Sequence, residues 1–68
     1  MESLVIATDT IRLGQLLKLA NLVDSGAEAK QLLSDGEVRV NGDPEARRGR
    51  QLVRGDVVAV RDISVRLA

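Results

Sequence analysis

The chain has 68 residues, of which 44% are hydrophobic and 29% are charged, with ten basic and ten acidic side chains. This length fits one domain spanning residues 1–68, and the composition is that of a globular protein. The absence of Cys, His and aromatic residues excludes disulfides, thiolate zinc sites, catalytic triads and stacking of bases on rings.

Only carboxylates remain as candidate catalytic groups. Two pairs are close in sequence, Asp24 with Glu28 and Asp35 with Glu37, but each of these residues has an ordinary alternative as a helix cap or surface charge. We therefore expect neither an enzyme nor a bound cofactor or metal.

The longest apolar stretches are four residues, Leu4–Ala7 and Val57–Val60. Both are too short for a membrane span or for the core of a secretory signal. The expected location is cytoplasmic, without membrane attachment.

The first half of the chain predicts one strand and two helices. The run Leu4–Ala7 between polar residues is typical of a strand. A helical stripe at i, i+3, i+4 and i+7 follows, and it consists of Leu13, Leu16, Leu17 and Ala20. The start of this helix stays open between Thr10 and Arg12. Residues 21–24 predict a tight connection in which Leu22 and Val23 fill the core.

The second helix has clearer ends. Ser25 and Glu28 have the spacing of a capping box, in which the hydroxyl accepts from the amide of residue 28 and the carboxylate accepts from the amide of Ser25. Gly36 suits the left-handed residue that ends a helix. The predicted buried stripe is Ala29, Leu32 and Leu33.

After Gly36 the apolar residues alternate with a period of two, which predicts strands. The apolar segments are Val38–Val40, Leu52–Val53, Val57–Val60 and Ile63–Leu67. The predicted fold is therefore α+β, in the order β-α-α-β-β-β or with a fourth strand after the helices. The two short helices are expected to pack on a small, mostly antiparallel sheet.

The connections between these strands are predicted from turn chemistry. Asn41-Gly42 suits a primed turn, and Pro44 restricts its segment to a sheet edge or a loop. Residues 45–51 are too polar for a core, and residues 54–56 predict a turn. Whether residues 61–62 form a hairpin turn or a bulge stays open.

Charge is distributed unevenly along the chain. The first 46 residues have four basic and eight acidic side chains, and residues 55–68 are balanced. Residues 47–54 contain no acid and four arginines, Arg47, Arg48, Arg50 and Arg54. Arginine can bind phosphate through two parallel hydrogen bonds, so this segment is a candidate anion-binding loop; a solvated loop paired with helix carboxylates is the alternative.

The order of motifs resembles the RNA-binding domain named after small-subunit ribosomal protein S-four, the αL motif. The resemblance rests on Arg12-Leu13, on Ser25 at a helix start, on Ala29-Lys30 and on the segments 36–42 and 55–58. The residues 13–20, 23–26 and 47–50 are similar to those of the small stand-alone bacterial YbcJ-like subgroup.

This resemblance implies non-catalytic binding of structured RNA, of the ribosomal or transfer RNA type. It implies an RNA-facing surface on the two helices and the loop after the hairpin. The candidate RNA-binding residues are Arg12, Lys18, Ser25, Lys30, Arg47, Arg48, Arg50 and Arg54. The chain departs from the family at Gly14, where many members are acidic, and at Gly26, where many are basic. Losing the cation at residue 26 should weaken phosphate contact there, and the arginines could offset this.

Without aromatic side chains, arginines, amide donors and helix N-termini are the means left for binding RNA, and these contact phosphates and sense shape. Folded RNA is therefore the expected partner, and ribosomal RNA is one kind that the resemblance implies. Docking of an acidic protein partner through the same loop is the alternative. A DNA-reading helix-turn-helix is disfavoured, because the second helix carries two acids and one Lys. We expect a monomer, although an open edge among the strands at 57–67 could support a dimer.

Overall fold

Two helices pack on a five-stranded sheet in the computed structural model, which describes residues 1–68. The strands and helices are β1 (Glu2–Leu4), β2 (Thr10–Arg12), α1 (Leu13–Leu19), α2 (Gly26–Ser34), β3 (Val38–Val40), β4 (Asp43–Pro44), β5 (Gln51–Val53), β6 (Val57–Val60) and β7 (Ile63–Leu67). The predicted α+β architecture is confirmed. Strand β5 contains the apolar segment Leu52–Val53, and the short strands β2 and β4 are additional to the prediction.

The main sheet has the strand order β1-β7-β6-β3-β4. Its pairs β3–β4, β3–β6 and β6–β7 are antiparallel, and β1–β7 is parallel. The mostly antiparallel sheet is thus as predicted. A second sheet of two strands, β2 and β5, pairs Thr10 with Val53 and Arg12 with Gln51.

The first strand begins and ends earlier than the apolar run predicts. β1 ends at Leu4, which lies opposite Leu67 at the end of its partner β7. Val5 is therefore exposed, while Ile6 is buried and its amide donates to the carbonyl of Ala68 at 3.1 Å. The prediction of a strand over Leu4–Ala7 is wrong by about two residues, because the partner strand sets where pairing stops.

Strand β2 was not predicted from the pattern, and its partner β5 was predicted only at its apolar residues, Leu52 and Val53. Residues 10–12 are polar at both ends, and Gln51 belongs to the segment predicted to be loop. Their pairing places Arg12 as the N-cap of α1, so the helix begins at Leu13. It also places the segment 46–50 beside the start of α1.

The core lies between the helices and the main sheet. The predicted helix stripes are buried, with Leu13, Leu16 and Leu17 completely so, except that Ala20, the C-cap of α1, is only partly buried. From the second helix the core takes Ala29, Leu32 and Leu33, and from the strands Val38, Val40, Leu52, Val58, Val60 and Leu67. Val23 also joins this core, whereas Leu22 is partly buried against it.

The caps of α2 follow the sequence with one exception. Ser25 Oγ accepts from the amide of Glu28 at 3.1 Å, and Gly36 has φ +74° after the last turn. The carboxylate of Glu28 does not return a hydrogen bond to the amide of Ser25, so half of the predicted capping box forms.

The predicted turn residues adopt left-handed backbone at two hairpins. Asn41 and Gly42 have φ +51° and +88° between β3 and β4, and Pro44 lies on the edge strand. Arg61 has φ +54°, and Val60 pairs directly with Ile63. Residues 61–62 are therefore a hairpin turn, which decides the alternative left open above. Neither helix has the length and hydrophobicity that spanning a bilayer would require.

Candidate functional site

A shallow groove of about 530 Å³ lies where α1, α2 and the segment 46–50 meet. Its lining has three basic side chains, Arg12, Lys18 and Arg48, and no acidic one. The other lining residues are small or neutral and comprise Gly14, Gln15, Gly26, Ala29 and Gly49. We call this surface the basic groove.

The basic groove continues into a smaller hollow through Arg48. Lys30 and Ser34 of α2 line this hollow together with Ala46 and Arg48. Arg48 thus lies between Arg12 and Lys18 on one side and Lys30 on the other. Four of the eight predicted RNA-binding residues, from three separate chain segments, are brought to one surface.

These four cations have no partner within the chain. Of the ten basic side chains, five make an ion pair or side-chain hydrogen bond, namely Arg39, Arg47, Arg50, Arg54 and Arg61. The unpaired ones are Arg12, Lys18, Lys30, Arg48 and Arg66. All but Arg66 lie around the basic groove, which makes it the main concentration of free positive charge on the surface.

Arg47 and Arg50 are held by Glu45. Arg47 donates to both carboxylate oxygens, from Nε and Nη2, at 3.1 Å each, and Arg50 Nη1 donates to Oε1 at 3.0 Å. The amides of Ala46 and Arg47 also donate to Oε2 at 3.1 Å. The carboxylate therefore fixes the path of the loop, while Arg47 stays 76% exposed and Arg50 is 32% exposed.

The same contacts explain the acidity of Glu45. The hydrogen bond from the Arg47 side chain, followed by those from the Arg47 amide and the Arg50 guanidinium, lowers the pKa of Glu45 from 4.5 to about 2. Each donor stabilises the charged carboxylate. Glu45 is thus ionised at neutral pH and offsets part of the positive charge of the loop.

Arg54 lies apart from the basic groove. Its Nη2 donates to the carbonyl of Ile6 at 2.8 Å, and its Nη1 lies 3.5 Å from the carboxylate of Asp9. These contacts tie the segment after β1 to the end of β5. In this structure Arg54 has a role in packing the chain.

Ser25 lies next to Gly26, at the edge of the basic groove. Its hydroxyl is used as the N-cap of α2. The N-terminus of α1 is also occupied, since the carbonyls of Arg50 and Arg48 accept from the amides of Leu13 and Gly14 at 2.8 and 2.9 Å. The amides that begin α1 are therefore committed to the loop.

A second groove, lined differently, lies on the other side of α2. It has three acidic side chains, Glu28, Asp35 and Asp62, and one basic side chain, Arg61, which pairs with Glu37. The chain has no net charge, and these acidic side chains lie away from the basic groove. We call this second surface the acidic groove. Because charges near a ligand dominate its binding in salt solution, the local charge matters more than the net charge.

Sequence reasoning missed the organising residue of the loop. Glu45 was counted with the acidic first part of the chain, although its spacing of two and five residues from Arg47 and Arg50 permits the contacts observed. It also missed the uncharged floor of the groove, where Gly14 and Gly26 approach Arg48.

The S4 domain family matches residues 4–68. The match covers nearly the whole chain, and the chain belongs to this family. The resemblance inferred from the motifs is thereby confirmed.

Two bacterial relatives are similar over most of their length. The chain is 54% identical over 55 residues to the probable ribosome maturation protein RlbA of Bacillus subtilis, covering 81% of this chain and 78% of that protein. It is 37% identical over 57 residues to the putative RNA-binding protein YbcJ of Escherichia coli, covering 84% and 81%. The relative YbcJ represents the small stand-alone subgroup that the sequence motifs indicate.

Among solved structures, the 30S ribosomal protein S4e of Thermoplasma acidophilum has the same fold. The TM-score is 0.65 at 24% identity, and the likeness covers 87% of this chain and 31% of that protein. The family and these relatives together support RNA binding in general.

Proposed function

We propose that this protein binds structured RNA through the basic groove, without catalysing a reaction on it. The observation that carries the proposal is the placement of four unpaired cations, Arg12, Lys18, Lys30 and Arg48, around an acid-free surface. Such a surface fits the phosphate backbone, which supplies most of the affinity in nucleic-acid binding.

Folded RNA suits this surface better than a flexible single strand. Single-strand binders usually hold bases on aromatic rings, and this chain has none. Lys18 and Lys30 lie on the two helices, Arg12 is the N-cap of α1, and Arg48 lies on a loop that is fixed by Glu45, so their spacing is set in advance. A fixed array of charges favours a ligand whose phosphates are also fixed, as in a stem-loop.

Ribosomal RNA is the RNA that we propose. The relative in Bacillus subtilis is named a probable ribosome maturation protein. We propose that the protein acts as a monomer in the bacterial cytoplasm, where ribosomes are assembled.

The test is an amide NMR titration of the labelled protein with a short RNA stem-loop and with a single strand of equal length. We expect shifts near Arg12, Lys18, Lys30 and 47–50 with the stem-loop, weaker shifts with the single strand, and reversal by salt. Shifts near Glu28, Asp35 and 61–63 instead would place binding on the acidic groove and contradict the proposal.

A pair of matched variants tests the site. Arg48→Ala removes the central cation and is expected to raise the Kd for an end-labelled stem-loop by about five- to tenfold, the size of one charged contact near the surface. Arg66→Ala removes an equally unpaired arginine from β7, between the buried Val65 and Leu67, and should change the Kd by less than about twofold. Equal effects of the two substitutions would overturn the site assignment.

Protein docking is the second candidate function, and the acidic groove is the feature that bears on it. There, Leu22 and Ile63 lie among Glu28, Asp35 and Asp62, a combination that suits a basic partner. The acidic partner considered from the sequence would have to use the basic groove. Competition between the RNA stem-loop and any captured protein would show whether they share that surface.

A further inference from the structure

Gly14 is buried at the second position of α1, directly beneath Arg48. A Cβ at this position would overlap Arg48 Cγ and would lie 3.1 Å from Arg48 Cδ and 3.5 Å from the Arg48 carbonyl oxygen. The aliphatic part of Arg48 therefore crosses α1 at a point where only a hydrogen leaves enough room.

The backbone of Arg48 is held at one end of this crossing, and its guanidinium reaches α2 at the other end. Its carbonyl accepts from the amide of Gly14 at 2.9 Å, which holds its backbone against the start of α1. At the other end, Nη1 lies 3.8 Å from the position that a Cβ would take at Gly26 in α2. The side chain thus spans from one helix to the next, and the guanidinium group lies between them without an ionic partner.

The choice of glycine here runs against local helix preference. Glycine is the poorest helix former after proline, and Gly14 lies in a helix with no left-handed backbone that would require it. Its conformation alone would accept alanine. The contact with Arg48 is the feature of the structure that explains why the side chain is missing.

We infer that Gly14 is a positioning residue, which allows Arg48 to lie across α1 and to present its guanidinium in the basic groove. The inference rests on the proposed function, since it concerns how the central cation of that RNA surface is held. With a methyl group at residue 14, the Arg48 side chain must turn toward solvent. The groove would then lose its central charge although no charged residue had been changed.

The experiment compares three variants, Gly14→Ala, Arg48→Ala and the double variant, by the Kd for the end-labelled RNA stem-loop. We expect Gly14→Ala to raise the Kd by about the same factor as Arg48→Ala, about five- to tenfold. The double variant should bind no more weakly than either single variant, within about twofold, because both substitutions remove the same contact.

Leu19→Ala is the control on the same helix. Leu19 is 55% exposed at the other end of α1 and lies outside the basic groove, so the Kd of this variant should stay within about twofold of wild type. The melting temperature by circular dichroism guards against unfolding. If Gly14→Ala lowers it, adding Arg48→Ala should restore it, since the overlapping Cγ is then gone.

The outcomes separate the two proposals. Weak binding by Arg48→Ala with wild-type binding by Gly14→Ala would overturn the role of Gly14 and leave the RNA site in place. Independent, multiplying effects of the two substitutions would also overturn it. Wild-type binding by Arg48→Ala would overturn the site assignment itself, and the positioning role with it.

Discussion

Glu45 illustrates how one residue can set the character of a charged loop. Its carboxylate accepts from two guanidinium groups and two backbone amides, with its side chain 8% exposed. Charge-assisted hydrogen bonds of this kind are stronger than neutral ones. Two of the three arginines between residues 47 and 50 are thereby used to order the loop, and Arg48 is left for a ligand.

The lowered pKa of Glu45 predicts a specific dependence of stability on pH. A carboxylate with a pKa of about 2 when folded and 4.5 when unfolded contributes stability that is fully present above pH 4.5. This contribution is lost as the pH falls toward 2, because the unfolded state then binds the proton more readily. Chemical denaturation followed by circular dichroism from neutral to acid pH measures it.

Glu45→Gln should remove this contribution from the acid transition. The variant is expected to be less stable than wild type at neutral pH and to approach wild type as the pH falls toward 2. Glu37→Gln is the control, since Glu37 makes an exposed pair with Arg61 at 3.4 Å, which contributes little. A constant stability difference between wild type and Glu45→Gln over this range would contradict the assignment.

At the scale of the element, α2 separates two surfaces of opposite charge. Gly26 and Ala29 line the basic groove, whereas Glu28, Gln31 and Asp35 line the acidic one. Residues three and four apart share one face of a helix, so this division follows from helical geometry. Shortening or fraying of α2 would affect both surfaces.

Ser25 is therefore predicted to act mainly on stability. Ser25→Ala removes the hydroxyl that accepts from the Glu28 amide and should lower the free energy of unfolding by about 1 kcal/mol. Urea denaturation measures this loss, and RNA affinity at low temperature should change by less than about twofold. Ser34→Ala, at the other end of α2, is the control and should leave stability within about 0.5 kcal/mol. A large loss of affinity with unchanged stability would instead assign the Ser25 hydroxyl to RNA contact.

For the whole molecule, zero net charge combined with local segregation of charge should limit non-specific binding. A polyanion gains little from a neutral protein at long range, because salt screens charges beyond about 10 Å. Affinity then depends on ligands that reach the basic groove. The acidic groove repels a polyanion, so RNA is expected to approach the protein from the side of the basic groove.

The salt dependence of binding provides a count of the contacts. If four cations each neutralise one phosphate, the plot of log affinity against log salt for a base-paired stem should have a slope between about −3 and −4. Arg48→Ala should make the slope less negative by about 1, while Arg66→Ala leaves it unchanged. A slope that is insensitive to Arg48→Ala would show that binding occurs elsewhere on the molecule.

Much of the fold is determined by local patterns in the sequence. The stripes of α1 and α2, the Ser25 cap, Gly36 and the Asn41-Gly42 turn depend on neighbours within a few residues, and all of them agree with the structure. The arginine-rich segment 47–54 and the membership of the chain in an RNA-binding family could likewise be predicted, because composition and motif order can be read from the sequence itself.

Tertiary structure alone decided which cations are free. Glu45 pairs with Arg47 and Arg50, and Arg54 contacts Ile6 and Asp9. In the sequence, these three arginines and Arg48 look alike. The pairing of β2 with β5 joins segments far apart in the chain, and no local periodicity encodes such a contact. That pairing places Arg48 over Gly14. The charged segment and the two helices could be predicted from short-range chemistry. The position of each charge on the surface depends on contacts between residues far apart in the chain, which the sequence pattern does not reveal.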